Sequence, residues 1–473
     1  MRDQKWKLLL ALIFFCILPA RQLLAAQTGT AKTFTVQEAI NFALQNYPAV
    51  RAAIESYNAA QSGIAVARTN YLPRIDAVWQ GNRGTRNSVL GVLLPQFPNV
   101  LTGTQGTVLP PSDKSFWASG GGALFSWEPF DFGYRRSEVK SAQSTATRTA
   151  AQVTLTRLGV ATAVADAALA VLADQQRVQA SQADVDRRTV FAKSVHALVD
   201  ARLRPGADAS RADAELAAAR TQLILAQEAL EVASGQLATV LGISGTHVEI
   251  ETGPFLQVPP ENLWQGTPVT NHPAAVVEQR RIQEEQSRIS VLNHAYYPHF
   301  TLEALTSARG SGENSKGNVA PGFNGLGADV HNWSAGLTVS LPVFDFISIH
   351  ERRKVELANQ RREQALYDLT VQNLSGQLEQ ARATLDGARR VAQNTPIELQ
   401  ASRDSEAQAR ARFQAGVGTI VDVAEAQRLL VQAEIDDSLA RLSIWRALTD
   451  LAAAQGDIQP LLNLASSVQT GAP

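Results

Sequence analysis

Cysteine is nearly missing from this chain, and its single representative, Cys16, falls in the opening segment. The remainder can form no disulfide and offers no thiol chemistry. An excess of one charge is missing too: 43 Lys and Arg stand against 44 Asp and Glu, so no basic surface of the kind nucleic acid requires is expected. Beyond the opening segment, no stretch is expected to reach the roughly 20 apolar residues of a membrane-crossing helix. Gly416-Val417-Gly418 lacks the third glycine and the preceding strand of a dinucleotide fingerprint, and no GxxxxGK[ST] phosphate loop occurs. The seven histidines show no metal-ligand spacing, and His294 and His299 straddle an expected helix end, where solvated or boundary packing accounts for them. These absences argue against an enzyme, and no cofactor or metal is expected.

The opening MRDQKWKLLLALIFFCILPARQLLAA has the form of a secretory signal peptide, residues 1–26. It has basic residues at Arg2, Lys5 and Lys7, an apolar run from Leu8 to Leu18, and Ala25 and Ala26 suited to cleavage. A transmembrane anchor fits less well, because the run is short and ends at Pro19 and Arg21. A lipoprotein would need a small residue before Cys16, where Phe15 stands.

Two stretches share one construction. FQAGVGTIVDVAEAQ, with Gly416 and Gly418 in a tight turn, runs into a helix carrying Ala426, Ala433, Ala440 and Ala447 at seven-residue spacing. Leu430, Ile444 and Leu451 share that face, with Asp437 interrupting the larger series. ARLRPGADASRADAE likewise leads to Leu216, Leu223, Leu230 and Leu237, each of the first three followed three residues later by Ala219, Ala226 or Ala233. A strict period of seven describes a coiled-coil seam, and alanine on it lets the partner helix approach closely. Each turn is thus read as the tip of an antiparallel helical hairpin, with Ser210 and Thr419 as N-caps and Asp213 and Asp422 in capping-box positions.

Upstream, Asn46-Tyr47-Pro48 and Leu72-Pro73 punctuate one helix as Asn271-His272-Pro273 and Tyr297-Pro298 punctuate another, which indicates an internal tandem duplication. The first repeat covers 27–241, with a strand hairpin at 74–129 and a tip at 204–207; the second covers 271–455, with a hairpin at 299–342 and a tip at 414–418. Residues 242–270, with Gly253-Pro254 and Pro259-Pro260, are read as a linker, and 456–473 as a short uninformative tail.

After each helix-ending proline the pattern alternates. Ile75, Ala77 and Trp79 lead out, and Trp117, Ala123, Phe125 and Trp127 lead back; Phe300, Leu302 and Ala304 are answered by Trp333, Ala335, Leu337, Val339 and Leu341. Strands of about ten residues with aromatic girdles, in an exported chain, fit a membrane barrel wall, with Trp79, Trp117, Trp127 and Trp333 as interface aromatics. A soluble sandwich edge packed on the helices is the alternative. Four strands cannot close a membrane barrel, so membrane-spanning strands would require an oligomer. Helical stretches of about 65 residues follow each hairpin, giving helices about 100 Å long.

This duplicated plan, NYPAV and NHPAA, the hairpin exits Pro129-Phe130-Asp131-Phe132-Gly133 and Pro342-Val343-Phe344-Asp345-Phe346, and FQAGVGTIVDVAEAQ together resemble the TolC family of outer membrane efflux proteins over essentially the whole mature chain. The resemblance implies a homotrimer in outer membrane lipid, each chain giving four strands to a twelve-stranded barrel and four long helices to a periplasmic tunnel. It implies a periplasmic adaptor docking on the tips at Arg204, Pro205, Gly206 and Ala207 and at Ala415, Gly416, Val417 and Gly418, and an inner-membrane pump. It also places a periplasmic gate at Asp422 and Glu425. Two plainer readings stand beside it: Asp422 as the acid of a capping box with Glu425 a solvated helix residue, and the tips as hairpin geometry alone. Where the family often carries a Thr-Asp pair at the first tip, this chain has Arg211 and Ala212, leaving Arg211 as a possible gate partner.

The expectation is therefore a mixed α and β chain of long coiled-coil hairpins plus a four-stranded share of an oligomeric transmembrane barrel. It would serve as a passive outer-membrane exit duct for drugs, toxic small molecules or secreted polypeptide, with its shaft in the periplasm. An exported coiled-coil scaffold without transport is the alternative.

Overall fold

The computed structural model describes residues 32–85, 112–260, 268–314 and 316–470. The segment read as a signal peptide, with Cys16, most of the first hairpin loop and part of the stretch read as a linker lie outside the described residues. The first half comprises β1 (Lys32–Phe34), α1 (Val36–Asn46), α2 (Pro48–Thr69), β2 (Arg74–Thr85), β3 (Ser115–Phe130), α3 (Tyr134–Asp200) and α4 (Gly206–Leu241). After β4 (Val248–Ile250) come α5 (Pro273–His294), β5 (His299–Ser311), β6 (Val330–Ser340), α6 (Asp345–Gln414), α7 (Ile420–Gln455) and α8 (Gln459–Thr470). Corresponding helices match in length: α2 and α5 have 22 residues each, α4 and α7 have 36 each, and α3 and α6 have 67 and 70. At about 1.5 Å per residue the two long helices each extend about 100 Å.

Each long helix is flanked by two shorter ones placed end to end: α3 by α4 and α2, and α6 by α7 and α5. The joints are built from glycine and proline. Gly242 closes α4 in the left-handed region, φ 76°, and a Cβ there would lie 3.5 Å from the Pro48 ring that opens α2. Gly456 closes α7 likewise, φ 84°, and a Cβ there would come 2.6 Å from Pro273, which opens α5. A left-handed residue ends one helix and satisfies its last carbonyls, and proline at N1 starts the next without a wasted donor. His272 secures the second joint: its Nδ1 accepts from the Ala274 amide at 3.1 Å and its Nε2 donates to the Ala453 carbonyl at 3.0 Å.

The seams lie where the heptads put them. Ala426, Ala433, Ala440 and Ala447 are buried, as are Leu430, Ile444 and Leu451. Asp437, the odd member, is buried as well; it accepts a hydrogen bond from Thr395 at 3.2 Å and pairs with Arg441 at 2.6 Å. On α4, Ala219, Ala226 and Ala233 are buried.

The main core sits level with the joints. Val164, Ala168 and Leu172 of α3 meet Leu237 of α4 and Ile444, Trp445 and Leu448 of α7. The Trp445 indole donates to the Gln257 carbonyl at 2.9 Å and meets Phe255 edge-on at 5.0 Å. Four expectations are corrected here. The region read as a linker contributes β4, which pairs in parallel with β1, and its Val248 and Ile250 are buried in this core. The tail read as uninformative forms α8, and Leu461, Leu462 and Ala465 pack into the same core, apolar spacing that a short run had concealed. One window of α3 is apolar and long enough by composition to cross a membrane because it is rich in alanine, but Val160, Ala161, Val164 and Ala165 face the core. Finally, α4 starts at Gly206 with Pro205 at the cap, so Ser210 lies inside the helix and caps nothing, and Asp213 pairs with His196 at 2.9 Å.

At the far end from the tips, the four long strands form one antiparallel sheet in the order β2-β3-β5-β6. Cross-strand register places Ile75, Phe125, Ala304 and Ala335 in one row and Ala77, Ala123, Thr306 and Trp333 in another. Because paired residues point to the same side, Trp79, Trp127, Leu302, Leu337 and Val339 join that apolar face. The opposite face carries Asp76, Gln80, Glu303, Ser307, Arg309, Asn332 and Ser334, with Val78, Phe116, Leu124, Leu305 and Val330 as its larger apolar exceptions. Trp79 lies across Gly121, where an added Cβ would approach its ring to 3.1 Å. β2 and β6 are the two edges, each paired on one side only.

Candidate functional site

At the tip end, the chain turns at 201–205 and again at 415–419, and the two turns touch. Phe413, buried, packs on Phe191 at a centroid distance of 5.3 Å within a small cluster that includes Val195, Ala212, Ile420 and Val423. Gly416 adopts φ 79°, and Gly418 approaches the backbone so closely that a Cβ would lie 3.0 Å from the Phe413 nitrogen. The glycine pair is required by this geometry whatever docks on it. Val417 projects between them, 71% exposed.

Arg204 connects the tips. Its guanidinium donates to the Phe413 carbonyl at 2.9 Å and to the Gly418 carbonyl at 3.3 Å, and lies over the Phe413 ring at 4.4 Å. Of the eight tip residues singled out from sequence, Pro205, Gly206, Ala207, Ala415, Gly416 and Val417 are exposed, whereas Arg204 is half-buried and Gly418 buried. Arg211, in contrast, is exposed and has no ion pair among the described residues, while Ala212 beside it is packed in the tip cluster.

Thr419 caps α7 as its sequence suggests. Its hydroxyl accepts from the Asp422 amide at 3.3 Å, and its own amide donates to Asp422 Oδ2 at 3.0 Å. Hydrogen bonds from the Thr419 backbone and side chain hold the Asp422 carboxyl below its ordinary value. Glu425, one turn on, pairs with Arg428 at 2.5 Å, which holds its carboxyl low in turn. Both acids are therefore ionised at neutral pH and both are exposed. They line a groove of about 410 Å³ together with Arg412, Val421 and Leu429.

Sequence reasoning missed the contacts that bind the two hairpins. Besides Arg204, Arg187 of α3 makes a two-pronged contact with Glu434 of α7, at 2.8 and 3.2 Å; within the first hairpin, Arg188 joins Asp184 at 2.8 Å to Glu215 of α4 at 2.9 Å. The Arg187-Arg188 pair after Asp184 is a local signal, but its partners lie on other helices, which helix periodicity does not identify.

At the sheet end, the helix-proximal rim is aromatic. Trp127 donates to the Tyr71 carbonyl at 3.1 Å, and Phe132 stacks on Tyr297 at 5.3 Å beside Phe130, 4.6 Å away. Trp117 stands at the other rim with the Arg83 guanidinium 5.7 Å from its ring. Trp79 and Trp333 occupy mid-strand positions and are 71% and 82% exposed. The strand-to-helix change after β3 is fixed by Asp131, which accepts from the amides of Gly133 at 3.0 Å and Arg135 at 2.7 Å and from Arg135 Nε at 2.8 Å. Arg135 donates onward to the Asn70 carbonyl at 3.0 Å and to the Glu128 carbonyl. Among the described residues no group of His, Cys, Asp and Glu has metal-holding geometry; His299 binds Glu128 at 2.6 Å and His294 the Ser290 carbonyl at 2.7 Å.

A long helical shaft with charged tips, ending in a sheet with one apolar face and bare edges, is a plan shared with known proteins. The profile described as outer membrane efflux protein matches residues 39–243 and 270–457. The pyoverdine export outer membrane protein OpmQ of Pseudomonas aeruginosa is 24% identical over 423 residues, 88% of this chain and 83% of that protein. Among solved structures, CusC superposes with a TM-score of 0.73 at 15% identity, covering 91% of this chain and 96% of its own. The outer membrane protein VceC of Vibrio cholerae superposes at 0.69 and 16%, covering 89% and 96%.

Proposed function

The chain belongs to the outer membrane efflux protein family, and from that premise we propose that it is one of three copies forming an exit duct from the periplasm through the outer membrane. Family members are outer-membrane channels rather than enzymes, and the scaffold alternative is not favoured. The observation that carries the proposal is the sheet. Its apolar face spans all four strands, and β2 and β6 keep one unpaired edge each. Lipid provides no hydrogen bonds for such edges, so β6 of one copy must pair with β2 of the next until the wall closes. Three copies give twelve strands, within the range of known membrane barrels.

In this reading the apolar face meets lipid and the face with Asp76, Glu303, Arg309 and Asn332 lines the lumen. The matched halves arose by duplication, supported by equal helix lengths and by the two Gly-Pro joints. The tips take a periplasmic adaptor, with Val417 and Leu203, 71% and 70% exposed, as apolar knobs. An inner-membrane pump supplies the energy. The cargo is a drug, a toxic small molecule or a secreted polypeptide; the relative OpmQ is a pyoverdine export protein.

Asp422 and Glu425 serve as the gate, three copies of each giving a cation-favouring ring at the periplasmic opening. The capping box does not compete with that role, since a carboxylate that accepts a backbone hydrogen bond keeps its charge. Neutralising both with the cap preserved, as Asp422→Asn with Glu425→Gln, is expected to lower cation over anion permeability in planar bilayers without reducing assembly; an intact trimer of unchanged selectivity would remove the gate assignment. Single-particle imaging of the detergent-extracted protein tests the duct itself. A three-fold cylinder with a barrel cap and a shaft of about 100 Å is expected, and a soluble rod without a barrel would overturn it.

A further inference from the structure

Just below the sheet a groove of about 480 Å³ opens between α3, α5 and α6. Its floor is apolar: Val291 and Leu292 from the last turns of α5, and Val355 from α6, which is 58% exposed. Four charged side chains stand around that floor: Glu138, Arg288, Arg352 and Glu356. Three of them are engaged. Arg288 donates to Glu284 at 2.8 Å and to Glu285 at 2.9 Å. Glu138 accepts from the Asn70 side chain at 3.2 Å, and Glu356 from the Asn359 side chain at 3.0 Å. Arg352, exposed and one turn from Val355, has neither a hydrogen bond nor an ion pair among the described residues.

We propose that this groove binds an amphipathic organic anion, its apolar body on Val291, Leu292 and Val355 and its acid group on the Arg352 guanidinium. The volume is that of a small-molecule site, and a mostly apolar lining with one uncommitted polar anchor is the usual composition of such sites. A guanidinium presents paired N–H donors that match the oxygens of a carboxylate, sulfonate or phosphate. Glu138 and Glu356 at the margins repel a second acid group, so the site prefers a monoanion to a dianion. The groove lies on the stack that α7 and α5 form, above the tip that carries Asp422 and Glu425. Its standing as a stage on the exit path rests on the duct reading; binding itself does not.

The test uses the full chain in lipid nanodiscs, titrated with fluorescent 8-anilinonaphthalene-1-sulfonate and with N-phenyl-1-naphthylamine, which has the same rings without the acid, each corrected for empty nanodiscs. The sulfonate is expected to bind saturably. Arg352→Gln should weaken it about tenfold while leaving the uncharged probe unaffected, the effect of removing one charge-assisted hydrogen-bonding partner. Arg352→Lys should recover part of the loss, and Val291→Ser should weaken both probes. Equal sulfonate binding by parent and Arg352→Gln, or tighter binding of a cationic naphthyl analogue than of the sulfonate, would overturn the assignment. A conducting trimer that fails this titration disproves the site and leaves the duct standing; a chain that binds but forms no conducting barrel does the reverse.

Discussion

Arg204 and Asp131 hold opposite ends of the shaft by the same means, a side chain that reaches several partners at once. Arg204→Ala removes two carbonyl hydrogen bonds and a cation-π contact, with an expected local cost of about 2 kcal/mol. Amides in the first turn of α7 should then exchange roughly 30-fold faster with solvent. Arg204→Lys, which keeps the charge but loses the planar guanidinium that lies over the Phe413 ring, should fall between; hydrogen exchange read by mass spectrometry orders the three. For Asp131, burial pushes the carboxyl up, but the Arg135 side chain and the Arg135 and Gly133 amides outweigh it, and the group titrates below its ordinary value. A depressed folded value means that the stabilisation is fully present above the unfolded value of about 4 and is lost as pH falls through the folded one. Asp131→Ala, which leaves the Arg135 guanidinium without its buried partner, should cost about 3–5 kcal/mol at pH 7. Its deficit relative to the parent should shrink below about pH 4, as thermal unfolding across that range would record.

The joints between stacked helices separate two roles for glycine. Gly416 has φ 79° with open space around its missing Cβ, whereas Gly456 has φ 84° with Pro273 and His272 within 2.6 and 2.8 Å. Gly416→Ala should therefore cost only the left-handed strain of about 1–2 kcal/mol, and Gly456→Ala distinctly more, since the backbone of one helix must move off the other; comparative denaturation midpoints distinguish them. Sequence resolved elements according to how local their causes are. Heptads marked the seams, prolines marked the helix boundaries, and Thr419 with Asp422 marked a cap, because each acts within a turn or two. What escaped was set at a distance. Ser210 looked like a cap until Pro205, which presets the backbone angle, started the helix earlier. β4 and α8 were illegible because three-residue strands and short helices are stabilised by the core they enter, not by their own pattern. At the candidate site Asp422 was readable as a capping acid from its spacing to Thr419 and Glu425 only through the family resemblance, while the contacts of the arginine that ties the tips were readable from neither, since its acceptors are backbone carbonyls with no residue identity.

For the whole molecule, the two sheet faces make a claim that one strand can test. Ala335 and Ser334 are neighbours in β6 that point to opposite sides. Ala335→Arg puts a charge on the apolar face and should cost about 2–4 kcal/mol of membrane folding stability, while Ser334→Arg should insert normally; heat-modifiable migration of outer-membrane fractions reports the difference. The bare edges of β2 and β6 have a consequence for dosage. In the proposed duct, whose wall is completed only by other copies, one copy alone is no pore, so the number of finished pores must fall faster than the amount of polypeptide when synthesis declines. Modest repression would then silence the pathway more sharply than it thins the protein, and stray copies with open strands would be early targets for the proteases that patrol the envelope.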